Sequence, residues 1–286
     1  MLEMCSMLEP LEPRILLSAY PGDLNGDWGV DLDDFVVLKS QFHADLAQFI
    51  DMKANWGTSV FDVPIHADPA TPFAYNRFDG SLVDDGIDYG DFIQGRLADC
   101  WLISGLASIA LIDPGVLEDA ISAIGDGTYW VQYYDYAGTA QYLRIDADLP
   151  AQNGRLIYAR APDGLMGPLL EKACAHVRYG MDSYASLAYG WGFQVWGWFA
   201  GWDSRLVGDF ALLAPGDTVA SGIGTNLIVP NHEYVVLDAD ATGITVYNPW
   251  GYDGREASGD PSDGVIYLTM GEAEEAFTTA ISPVFY

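Results

Sequence analysis

Cysteine is scarce in this chain of 286 residues: Cys5, Cys100 and Cys174 are the only three. Thiols so few and so scattered exclude the disulfide framework that staples small secreted domains. Positive charge is short as well, with 12 Lys and Arg against 41 Asp and Glu, a formal net charge of −29. Nucleic acid and anionic membrane surfaces need a basic footprint on their partners, so neither is expected to bind. Long apolar runs are missing. No stretch reaches the roughly 18 continuous apolar residues of a membrane span, and the apolar run after Cys100 begins beside Asp99. Histidine is limited to His43, His66, His176 and His232, which leaves few candidates for a base at neutral pH.

What is present is enough to fold. Half of the residues are hydrophobic and 13% are aromatic, and the length suits one large core or two modest domains. Residues 1–20 lack the basic start and long apolar core of a secretory signal, and Cys5 falls in a tail expected not to fold. Leu11–Ser18, LEPRILLS, resembles a short N-terminal motif of large surface-associated proteins in planctomycete-type bacteria. That resemblance implies a home outside the cytoplasm.

Residues 21–57 form a second segment. Counting Asp23 as position 1 places Asn25 at 3, Asp27 at 5, Asp31 at 9 and Asp34 at 12, with an amphipathic helix following through Phe35, Val36, Leu38 and Phe42. Oxygen ligands at this spacing match a twelve-residue calcium loop, and so many carboxylates repel one another unless a hard cation neutralises them. Trp28 stands where such loops carry glycine, and Asp34 where they carry a bidentate Glu. The segment resembles a dockerin repeat. Its second unit, 44–57, echoes the helix without an acidic loop, so one intact Ca2+ site and one vestigial half are expected, with a possible docking partner for the module. An Asp-rich turn without metal is the alternative.

Residues 58–90, rich in Pro, Asp and Gly, read as linker and core entry, and 91–286 as one globular core. Gln94–Asp113 reads as a polar turn running into a buried helix. Leu102, Leu106 and Ala110 repeat at helical spacing, with Cys100 in the first turn. The helix dipole there favours thiolate, the form that attacks carbonyl carbon. Gln94 offers an amide donor suited to an oxyanion, and Asp99 is expected to cap the helix. Cys100 as a plain buried hydrophobe is the other reading. A second helix is expected over 115–123, strands over 129–136 and 142–146, and a helix over 169–177. Tyr189–Trp202 interleaves aromatics with glycine, which suits either an aromatic core or a substrate-facing wall.

His232 opens a strand-like run, HEYVVLD, and a second run covers 242–248. A tight hairpin centred on Asp240 sets His232 opposite Asn248, where an amide oxygen accepts the imidazole N–H and fixes its tautomer. Trp250 is placed to shield that bond from water. The alternative for His232 is a satisfied core histidine.

Gln94–Trp101 (QGRLADCW), Asn231–Tyr234 (NHEY) and Tyr247–Gly251 (YNPWG) together resemble the motifs of calpain-type cysteine proteases, in the family's order. Asp146–Pro150, Leu169–Ala173 and Gly264–Phe277 add similarity outside them. The resemblance spans 59–286. It implies an α+β, papain-like core of two subdomains, one helical and mixed and one β-rich, carrying the small N-terminal helical calcium-loop module. It also implies an endopeptidase acting on protein or peptide substrates, with Cys100 as nucleophile, His232 as base, Asn248 as orienter and Gln94 as oxyanion donor, and calcium dependence. Ala98 replaces a usual glycine, a Trp expected before Leu169–Ala173 is missing, and Gly190-Trp191 stands for Gly-Gly. No regulatory module is expected after Tyr286. The rival readings are a non-catalytic surface docking or adhesion protein using the calcium module, and a transglutaminase-like acyl transferase, whose usual orienter is Asp where this chain has Asn248.

Overall fold

The computed structural model describes Asp23, Gly26, residues 28–31, Asp34, Val37, Gly57, 59–255 and 260–285. The chain divides into two compact units, Met1–Pro64 and Ile65–Tyr286. In the first, Gly29 bridges to Ser59, Gly57 N–H donates to Val30 O at 2.7 Å, and Val30 and Val60 are buried. Asp23 accepts the N–H groups of Gly26 and Trp28 at 2.7 and 2.8 Å, and Asp34 accepts that of Asp31 at 2.7 Å. Asn25 and Asp27 lie outside the described residues, as does the expected second repeat apart from Gly57.

The second unit is mixed α/β. Its first strand, β1 (Ala74–Arg77), falls within the stretch read as linker and entry. The central helix α1 (Cys100–Ile112) buries every residue from Trp101 to Ala110. It is therefore enclosed on all sides, where the Leu102–Leu106–Ala110 spacing marked one face. Helix α2 (Gly115–Ala120) is shorter than expected, because Ile121–Ala123 passes into strand β2. Strands β3 (Thr128–Tyr134) and β4 (Ala140–Asp146) complete an antiparallel sheet with β2.

Strand β5 (Asp148–Gln152) pairs with β1 on one side and with β6 (Arg155–Leu156) on the other in a second small sheet. Asn153 and Gly154, with φ of 55° and 72°, form the two-residue turn between β5 and β6, a left-handed pair that suits the twist of a hairpin. Helix α3 (Met166–Val177) packs beside α1. Its Lys172, fully buried, donates to Asp68 Oδ1 at 2.6 Å, Asp146 Oδ1 at 2.7 Å, Asp146 O at 3.2 Å and Asp148 O at 2.8 Å. A buried ammonium is tolerated only when it is saturated in this way.

A short helix α4 (Phe193–Val195) widens into a π-type turn, Trp196–Ala200, that ends at left-handed Gly201. Trp196, Trp198 and Phe199 join the core while Tyr189 and Trp191 stay exposed, so the aromatic-core reading holds for the first three. The β-rich half is one antiparallel sheet in the order β11-β10-β9-β8-β12-β7. Its strands are β7 (Asp203–Leu206), β8 (Thr218–Ser221), β9 (His232–Ala239), β10 (Gly243–Tyr247), β11 (Val265–Thr269) and β12 (Phe277–Val284). Helix α5 (Met270–Ala276) starts in a capping box of Thr269 and Glu272.

Alternation along the strands sends Val235 and Tyr247 into the α1 core, and Tyr234, Val236 and Val246 into a second core with α5 residues. Ser104 Oγ of α1 donates to Glu233 O at 3.0 Å, which locks the helix to β9. Among the described residues, no helix is long and apolar enough to cross a membrane.

Candidate active site

Cys100 is the first residue of α1 and half-buried. It lines a cavity of about 570 Å³ together with Gln94, His232, Glu233 and Trp250. Burial pushes its thiol up to about 12, the Glu233 carboxylate pushes the same way, and backbone contacts from Glu233 and Trp101 only partly oppose them. Burial here opposes the helix dipole, which favours thiolate at this position.

Asp99 stands at the N-cap, yet its side chain makes no cap hydrogen bond. It turns inward, fully buried, towards Glu171 and Gln94, and burial raises its carboxyl to about 6. Glu171, also buried, is raised well above the carboxylate range by burial and by Asp99. Burial, with the proximity of the two acids, favours the protonated form of Glu171. Gln94 lines the cavity with its Nε2 donating to Leu97 O at 2.6 Å. Its backbone N–H donates to Pro249 O at 2.7 Å, tying the cysteine loop to the Asn248-Pro249-Trp250 turn.

His232 opens β9, and its Nε2 lies 2.9 Å from Asn248 Oδ1. The same oxygen accepts the Trp250 backbone N–H at 3.0 Å, and Asn248 Nδ2 donates to Asp253 O at 3.0 Å. A backbone N–H can only donate and a carbonyl can only accept, so the amide has one allowed orientation. His232 Nε2 must then carry the proton, and Nδ1 holds the lone pair. Burial lowers this imidazole to about 4, against the opposing effect of the Asn248 bond. The Trp250 ring lies 4.7 Å from the imidazole, the shielding position expected of it.

The hairpin register differs from the expected one. Ile244 pairs with Ala239 and Thr245 with Asp238, and after a bulge Tyr247 pairs with Val235. Asp240 begins the turn instead of centring it: its Oδ1 accepts the N–H groups of Thr242 and Gly243 at 2.7 and 3.2 Å, an Asx-type turn that moves the apex on. Asn248, one residue past β10, therefore meets His232 along a diagonal and not directly opposite.

Gln94, Cys100 and His232 thus share one cavity, with Asn248 buried behind His232. His66 and His176 are elsewhere, their rings 5.5 Å apart and His176 Nδ1 3.0 Å from Asp182; His43 lies outside the described residues. Cys174 is core. Sequence reasoning missed Glu233, whose Oε1 accepts Gly192 N–H at 2.9 Å and whose carboxyl burial raises to about 8. The available signal was a carboxylate next to His232 on a strand buried on both faces. Among the described residues, no group of three or more His, Cys, Asp or Glu is placed to hold a metal ion.

Residues 73–208 match the family described as calpain family cysteine protease. The chain is 27% identical to the rat calpain-2 catalytic subunit over 106 residues, 35% of this chain and 15% of the relative. It is 31% identical to mouse calpain-8 over 107 residues, again 35% and 15%, and 30% identical to Caenorhabditis elegans calpain clp-1 over 116 residues, 38% and 14%. Each match therefore spans about a seventh of the relative's length. The family match includes Gln94 and Cys100 and stops short of His232 and Asn248. The similarity to the calpain family thus covers residues 73–208, a little under half of the chain.

Proposed function

We propose that the chain is a calpain-like, calcium-responsive cysteine endopeptidase working through Cys100, His232 and Asn248, with Gln94 and the Cys100 backbone N–H as oxyanion donors. The observation that carries this reading is the Asn248 amide, pinned by Trp250 N–H and Asp253 O so that His232 keeps its Nδ1 lone pair as a base. Burial favours the neutral forms of thiol and imidazole. The thiol proton passes to His232 as sulfur attacks the scissile carbonyl; the imidazolium protonates the leaving amine, and water then hydrolyses the thioester. Oxyanion duty requires Gln94 to turn its amide away from Leu97 O. The test is hydrolysis of an unstructured protein by wild type and by Cys100→Ala, each with calcium and with chelator. Loss of ~10^3-fold or more in the variant is expected; equal background rates in every arm sink the proposal.

Calcium is part of the same proposal, with Asp23, Asn25, Asp27, Asp31 and Asp34 as ligands of the N-terminal loop. The described residues fit: Asp23 and Asp34 are buried carboxylates, and Trp28 adopts φ 66° at the position where such loops use glycine for their sharp turn. Bound there, calcium supplies charge neutralisation and order, not a catalytic step. Calorimetric titration of wild type against Asp23→Asn checks this without reference to activity; equal heats in the two proteins refute it. Placement outside the cytoplasm and docking of a partner by this loop belong to the proposal too, resting on the Leu11–Ser18 motif and the repeat spacing.

A further inference from the structure

Nine of the described residues are Lys or Arg, and three of them, Arg96, Arg155 and Arg160, line one groove of about 530 Å³ beside the catalytic cavity. The fold builds this cluster deliberately. The Asn153–Gly154 turn sets Arg155 opposite Gln152 across β5 and β6, and Gln152 Oε1 accepts from Arg96 Nη1 at 3.2 Å. The cysteine loop then lies along the chain that follows β6: Arg96 N–H donates to Ile157 O at 3.0 Å, and Arg160 N–H donates to Ile93 O at 2.8 Å. Gly95 permits that approach, because a Cβ there would stand 1.7 Å from Tyr158 O.

The three guanidinium groups are exposed and, among the described residues, none forms an ion pair. Arg77, Arg144 and Lys172 do, whereas Arg178, Arg205 and Arg255, like the groove arginines, do not among the described residues. The chain carries 41 acidic residues. Yet no acidic side chain lines this groove. Gly95, Arg96 and Arg160 belong to its wall and to the wall of the catalytic cavity, so a polypeptide lying in one reaches the other. Guanidinium forks match carboxylates in geometry and keep their charge at every working pH.

We propose that the Arg96–Arg155–Arg160 groove binds acidic side chains of the polypeptide substrate on one side of the scissile bond, making the enzyme selective for acid-flanked sites. This rests on the peptidase reading, and the experiment separates the two. Two labelled peptides share one sequence except for a short run of Glu in one and Gln in the other, placed in turn on each side of the bond. Anisotropy with Cys100→Ala measures binding, and hydrolysis by wild type measures kcat/KM.

The acidic peptide is expected to bind and react about 10-fold better for one placement of the run. That preference should shrink in high salt and in Arg155→Gln, with Arg96→Gln/Arg160→Gln as a second variant should the first fail to fold. Equal binding of both peptides in both placements overturns the groove even if hydrolysis is observed. Preferential binding without any hydrolysis sustains the groove and removes the peptidase reading.

Discussion

Burial holds the His232 imidazole neutral down to about pH 4, while the neighbouring Glu233 carboxyl keeps its proton up to about pH 8. The two act on stability in opposite directions. Glu233 is raised on folding, so its contribution is present in acid and is lost as pH climbs from about 4.5 towards 8. His232 is lowered on folding, so its contribution is present above about 6.5 and is lost as pH falls towards 4. Glu233→Gln should therefore flatten the decline of Tm between about pH 5 and pH 8 without altering the acid limb. Above about pH 8, where Glu233 is ionised, the same change removes a carboxylate that raises the Cys100 thiol, so alkylation of Cys100 there should be several-fold faster than in wild type. A variant with wild-type Tm profile and wild-type alkylation rate would show that Glu233 ionises freely.

Helix α1 gains its central place through small residues as much as large ones. At Gly105 a Cβ would come within 2.7 Å of Val195, so Gly105→Ala should cost ~1–3 kcal/mol by overpacking, read from urea unfolding at constant m-value. This helix was legible in the sequence because its period and its polar first turn are local properties. So was strand β9, opened by His232. The pairing of His232 with Asn248 was legible only in part: the residues were right, but the register depended on where Asp240 sat in its turn and on a bulge between Thr245 and Val246. Both are set by side-chain hydrogen bonds and sheet twist that periodicity does not record. Asp99 misled for a similar reason. Its spacing is that of a helix cap, but its carboxyl is fully buried beside Glu171, distant in sequence, and makes no cap hydrogen bond.

At the scale of the whole molecule, a net charge of −29 opposes compaction by self-repulsion. Raising NaCl from roughly 10 mM to 0.5 M should screen that repulsion and raise Tm; an unchanged or falling Tm would mean that attractive pairs dominate the electrostatics. The same field makes the arginine groove a local exception in an otherwise acidic surface. It draws acidic segments at contact distance while the molecule repels them from afar. Sequence composition alone could not have located it, because Arg96 and Arg155 are far apart in the chain and meet only through the strand pairing of residues 148–160.

The turn that brings Arg155 into the groove also carries a chemical clock. Asn153 is exposed and is followed by Gly154, the neighbour that least hinders attack of its own backbone nitrogen on the asparagine amide. That attack closes a succinimide ring and releases ammonia, and water then opens the ring to leave an acid on the rim of the groove. Asn248 is guarded from the same fate, since the nitrogen of Pro249 has no hydrogen to lose. On storage, the preparation should drift in substrate preference long before it loses turnover, and the drift should follow the rise of an acidic isoform at Asn153 by mass spectrometry.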